Sequence, residues 1–184
     1  MIVVYILIAV VVLLGLYVVM AYNNLISLRN RVDESFSDID TQLKRRHDLI
    51  PNLVETVKGY ATHERETLQN VTEARQTAVA AQGPEAQSAA EGILGAALGR
   101  LMAVAEAYPD LKANQNFLAL QSELSDTENK IQASRRFYNM QVRDLNTKVQ
   151  SVPTNIIASR TGITEREFFE LDDAAERAVP GVQF

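Results

Sequence analysis

Residues Ile2 to Ala21 carry no charge and no Asn, Gln, Ser or Thr, and a mixed apolar and polar pattern begins only after them. A helix of that length rises about 30 Å, the hydrocarbon thickness of a bilayer, so the run predicts a transmembrane anchor over 1–22. Val19-Met20-Ala21 resembles a signal-peptide cleavage site, but no basic segment precedes the run and it is longer than a signal core, which favours an anchor. From Val32 the apolar positions step by four and three through Phe36, Ile39, Leu43, Ile50, Leu53, Val57 and Tyr60, and again at Val71, Ala74 and Ala78. One face of a long helix has that spacing, and the helix is expected to run from the membrane to about Ala81. In "AAQGPEAQ" Gly83 and Pro84 stop it and open a second helix over about 84–107. "YPDLKANQNF" is the next turn. Phe117, Leu120, Leu124, Thr127, Ile131, Ser134, Tyr138, Val142, Leu145 and Val149 then carry a third helix to about Val152, before Pro153. "TNIIASRTG" reads as a connector, and Thr164-Glu165-Arg166-Glu167 has the capping-box spacing of a short fourth helix beginning at Glu165. No segment has a strand pattern. The expected fold is all-α: a transmembrane helix continuing into an elongated antiparallel bundle of about four helices, the bundle domain covering 23–184.

Charge adds orientation and exclusions. Arg29 and Arg31 follow the apolar run, and Lys44, Arg45 and Arg46 come later, while no Lys or Arg precedes it. By the positive-inside rule this predicts an N-terminus outside and a cytoplasmic bundle, with Tyr17 and Tyr22 at the interface. No ionisable residue lies inside the span, so it can supply no transport path. The net charge is −5, and the segment from Thr161 holds six acids against Arg166 and Arg177, a candidate docking surface for a basic partner. Nucleic acid, which needs clustered cations, is excluded as a partner. The absence of cysteine removes disulfides, thiolate nucleophiles and Cys-based metal sites.

Catalytic chemistry finds little purchase. His47 and His63 lie 16 residues apart, about 160° around one helix, and the residues three before them are Lys44 and Tyr60, so no Glu-x-x-His metal pair forms. His47 and Asp48, adjacent on a helix, do not face each other. His47 reads as solvated or locally hydrogen-bonded. Gly92, Gly95 and Gly99 recur on one side of the second helix and read as close packing, since no phosphate-loop Lys-Ser or Lys-Thr accompanies them. No catalytic residue, cofactor, metal or small-molecule substrate is expected. Arg46, Thr127 and Ser134 occupy steps of the apolar faces, where a polar residue fixes register at a cost in stability.

Two structural sites are expected instead. Pro51, followed by Asn52, leaves the carbonyls of Arg46 and His47 without their helical donors. Counting residue rises brings the turn carrying Glu106, Tyr108, Asp110, Asn114 and Asn116 to the same height. Arg45 or Arg46 is therefore expected to pair with Glu106 or Asp110, and Asn114 or Asn116 to donate to a freed carbonyl. Near the membrane, Leu25, Leu28, Val32, Phe36 and Ile39 extend past what the second helix can cover. They are expected to form a seam between copies in a homo-oligomer.

The runs "YNNLISLRNRVDESFSDIDTQLKRRHDLIPNLVETVKGYATHE", "LMAVAEAYPDLKANQNFLALQSELSDTENKIQASRRFYNMQVRDLN" and "VPTNIIA" together resemble the LemA family of bacterial membrane-anchored proteins. The likeness covers nearly the whole chain. Phe36, Thr41 and Val152 depart from the tryptophan, valine and aromatic residue common in the family, substitutions that bear on packing. The resemblance implies a helical domain on one N-terminal span in the bacterial inner membrane, and it does not imply an enzyme. It also brings a magnetosome protein, MamQ, needed to make that organelle's membrane, and members that occur beside an HtpX-type membrane protease. Two roles follow as expectations: a self-assembling membrane scaffold at the cell envelope, and an adaptor for a membrane protease or other envelope enzyme.

Overall fold

The computed structural model describes residues 1–170, and these form an all-α fold with no strand among them. Six helices follow one another: α1 (Ile2–Lys58), α2 (Arg65–Ala80), α3 (Pro84–Glu106), α4 (Pro109–Lys112), α5 (Gln115–Gln150) and α6 (Thr154–Thr161). Two compact units divide the chain. One comprises Met1–Asp38 and Ser134–Glu167, the other Ile39–Ala133 together with residues from Phe168 onward.

In the first unit, residues 1–20 of α1 are exposed on all sides, a length and apolarity sufficient to cross a membrane. Beyond them, buried Ala21, Leu25, Val32 and Ser35 of α1 meet buried Tyr138, Gln141, Val142 and Leu145 of α5. The Tyr138 ring packs on Phe36 with centroids 5.6 Å apart. From that contact α5 runs on through Leu145 as α1 runs back to Leu25, so the pair is antiparallel. The Tyr138 hydroxyl donates to the Glu167 carbonyl at 2.8 Å, and burial pushes the phenol up to about 12, opposed by Arg166. These contacts correct the expected intermolecular seam: Leu25, Val32 and Ile39 are fully buried within the chain, and Leu28 and Phe36 partly so. The expectation counted only the second helix as cover, whereas α5, 36 residues and about 54 Å long, returns along α1.

The end of this unit reverses two local expectations. "TNIIASRT" is helix α6 rather than a connector, closed by Gly162 in the left-handed region (φ 70°, ψ 21°) with the Ile163 N–H bonded to the Ala158 carbonyl. Residues 164–167 are not helical. The Arg166 N–H donates to Asn146 Oδ1 and its carbonyl accepts from Asn146 Nδ2, both at 2.9 Å, while its guanidinium reaches Asp33 at 2.7 Å. A backbone spent on Asn146 cannot also close helical turns. Of the acids from Thr161 onward, Asp172, Asp173 and Glu176 lie outside the described residues.

The second unit is a bundle in which residues 39–58 of α1, then α2, α3 and the first half of α5 alternate in direction. α1 stops at Lys58 instead of running to about Ala81. Gly59 follows, and after buried Ala61 the run "THERET" offers no apolar residue to continue the face before Leu68. α2 folds back, so Leu68, Val71, Ala74 and Ala78 join Ile50, Leu53 and Val57 in one core with Leu94, Leu101, Leu111 and Phe117. α3 is long and apolar enough to span a membrane, but its seam, Leu94, Ala97, Leu101 and Ala105, is core. It starts beside Asp40, which accepts from Gln87 at 2.9 Å, and ends at the loop after α1, where Tyr108 and Asn114 reach Glu64 and Tyr60. Asn114 also caps α5, its Oδ1 accepting the Phe117 N–H at 3.0 Å.

Candidate functional site: a groove floored by a buried charge network

Helix α1 places Arg46 and His47 on the face that meets α3. Glu91 occupies the step before Leu94, Leu98 and Leu101 on the α3 seam, so its carboxylate is carried inward with them. Arg46, His47 and Glu91 are all buried, the Glu91 side chain to 3 % exposure and that of Arg46 to 6 %. Glu91 Oε1 lies 2.6 Å from His47 Nε2, the imidazole donating to the carboxylate. Arg46 Nη1 donates to Glu128 Oε2 of α5 at 2.9 Å and stands 3.5 Å from Glu91 Oε2. Charges this far from water persist only when opposed, and here one guanidinium is held between two carboxylates.

Above the network a groove of about 700 Å³ opens between α3 and α5. Its walls are apolar at Leu98, Met102 and Leu124, and polar at Gln121, Ser125 and Glu128. Of the glycines expected to permit close packing, Gly92 and Gly95 line this groove. A Cβ on Gly95 would meet Arg46 Nη2 at 3.5 Å, ordinary contact, and one on Gly99 would meet nothing. Glu91 Oε2 is itself buried, makes no hydrogen bond among the described residues and has the Arg46 guanidinium 3.5 Å away. The acceptor open to a donor seated between the apolar walls is the Glu128 carboxylate, whose side chain is 38 % exposed. Among the described residues no group of three or more His, Asp and Glu could hold a metal ion.

The proline site is built differently from the expectation. α1 continues through exposed Pro51 and Asn52, and the donor for the orphaned His47 carbonyl is Arg75 Nε of α2, at 2.7 Å. Arg46 pairs with Glu91 and Glu128, not with Glu106 or Asp110, which are exposed along with Arg45 and Asn116. Tyr108 and Asn114 serve the loop at Tyr60 and Glu64, because α3 climbs from Asp40 to that loop rather than descending to Pro51. His47, expected to be solvated or locally hydrogen-bonded, is buried in the network with a partner 44 residues away. The periodic position of Glu91 was the available signal for its partner. No sequence pattern linked either residue to Glu128.

A model of the LemA family matches residues 35–184. Protein LemA of Metamycoplasma hominis is 30 % identical, over 82 % of this chain and 69 % of that protein. Magnetosome protein MamQ 2 of Paramagnetospirillum magneticum is 25 % identical over 87 % of this chain and 68 % of its own length, and magnetosome protein MamQ of Magnetospirillum gryphiswaldense is 24 % identical over the same shares. With the family model spanning most of the chain, the protein belongs to the LemA family.

Proposed function

We propose that this protein is a non-enzymatic, single-pass membrane adaptor at the bacterial cell envelope. Residues 1–22 anchor it, and the domain over 23–184 presents the α3–α5 groove to a second protein on the cytoplasmic side. The observation that carries this reading is the groove itself, with apolar walls and the part-exposed Glu128 carboxylate at its edge to accept a donor. A partner segment that fits has an apolar side chain beside a cationic or amide N–H donor. A membrane protease of the HtpX type or another envelope enzyme is the class of partner this role requires. The N-terminal run supports the anchor by its length and apolarity.

A self-assembling scaffold is the second reading, and the magnetosome relatives favour it. The apolar seam that motivated it is covered by the chain itself, so self-assembly would need another surface. Size measurement on the detergent-solubilised, full-length protein separates the two. An adaptor purified alone is monomeric and recovers one protein partner from membranes, in an amount that Ser125→Trp, which fills the groove, reduces. A defined homo-multimer, unaffected by Ser125→Trp, would replace the adaptor reading by the scaffold.

A further inference from the structure

The α5–α6 turn and the start of α6 carry two large apolar side chains in water: Val152, 79 % exposed, and Ile156, 60 % exposed. The antiparallel register of the first unit fixes their height. From the Phe36 and Tyr138 contact, α5 runs twelve residues to Gln150, about 18 Å, and the same rise along α1 leads back to Asn24. The turn that follows Gln150 thus stands level with Tyr22 and Ala21, where the uncharged run ends. Ala21 is buried at that level, in the same compact unit as the turn and α6. Charge at this level is opposite to that of the whole chain. Over 22–32 and 142–161 there are Arg29, Arg31, Arg143, Lys148 and Arg160 against Asp144 alone, a net of +4 in a chain of net −5.

We infer that the α5–α6 turn is a second membrane contact, an apolar tip set into an anionic lipid surface beside the span. Val152 and Ile156 enter the boundary between headgroups and acyl chains, and the cations around them meet anionic headgroups. Burying two aliphatic side chains, together with the attraction of each nearby cation to anionic headgroups, favours this seating. The contact continues a surface the anchor has already brought to the bilayer, so it needs no separate encounter. It fixes how the first unit stands on the membrane, which one spanning helix alone leaves free to swivel.

The inference rests on the anchoring reading above, and the absence of tryptophan from the chain makes both separately testable. Single tryptophans are placed as Tyr22→Trp, Val152→Trp, Ile156→Trp and Phe137→Trp in the full-length protein. Each is reconstituted in phosphatidylcholine vesicles containing brominated lipid, with and without phosphatidylglycerol. Emission from positions 22, 152 and 156 should be blue-shifted and quenched at least about twofold, more strongly with phosphatidylglycerol at 152 and 156. Position 137, exposed in the same unit about 21 Å from Tyr22, should emit as in water. Water-like, unquenched emission at both 152 and 156 with quenching at 22 overturns the second contact and leaves the anchor standing. Absence of quenching at 22 overturns the anchor itself. Equal quenching at 152 with and without phosphatidylglycerol overturns the anionic part of the proposal.

Discussion

Pro51 and Arg75 show how far single residues could be read. The sequence implies that Pro51 orphans the His47 carbonyl, since proline brings no N–H to the position four residues on. It does not say who answers, because the donor comes from α2, 28 residues away, and α2 exists only because α1 stops at Lys58. Arg75→Ala should cost about 1–3 kcal/mol, the desolvation of an unsatisfied buried carbonyl. In a Pro51→Ala background the restored N–H supplies the bond, and the cost of Arg75→Ala should fall by at least about 1 kcal/mol in denaturant titrations of the double-mutant cycle. Equal costs in both backgrounds would show that Arg75 acts elsewhere. Arg46 was legible as a polar residue on an apolar face, and the network accounts for it. Arg46→Met leaves Glu91 buried with only His47 opposite and should destabilise by about 3–5 kcal/mol. Tyr138 gives a pH-dependent test. Its phenol is raised from the ordinary 10 to about 12, so the neutral form is favoured in the fold, and its stabilisation is complete below pH 10 and lost as pH rises toward 12. Tyr138→Phe should abolish that alkaline loss, measured as the denaturation midpoint against pH.

At the scale of elements, apolar spacing located the long helices and their inward faces, because a period near 3.6 survives whatever packs against it. The boundaries obeyed other rules. The α1 face ran out of apolar residues between Ala61 and Leu68, a gap that the next periodic run, from Val71, concealed when the two were joined. Thr164 to Glu167 had helix-start spacing, but Asn146, 20 residues away, takes both backbone groups of Arg166. Local capping preference yields to a tertiary pair of hydrogen bonds. Thr164→Ala should therefore change stability by less than about 0.5 kcal/mol, as at an ordinary surface position. Asn146→Ala should cost about 1–2 kcal/mol, since two backbone groups lose partners together. Denaturant titration of both variants checks the contrast, and a larger loss from Thr164→Ala would restore the capping role.

At the scale of the molecule, the class was legible and the working surface was not. The all-α fold and the membrane-spanning run follow from patterning and length, which depend on neighbouring residues alone. The groove is lined from α3, at Gly92 and Gly95, and from α5, and its floor joins residues 44 and 82 apart in sequence at His47 and Arg46. The same long-range pairing buried Leu25, Val32 and Ile39, and so moved the account from assembly between copies to recognition of another protein. The most direct measurement is site-specific photo-cross-linking from Ser125, on the groove wall, in membranes holding the full-length protein. The account predicts one cross-linked species joining this chain to a different protein, weakened several-fold by Glu128→Gln, which removes the part-exposed carboxylate that receives the donor. A cross-link to a second copy of this chain, or a hetero-cross-link indifferent to Glu128→Gln, would contradict it.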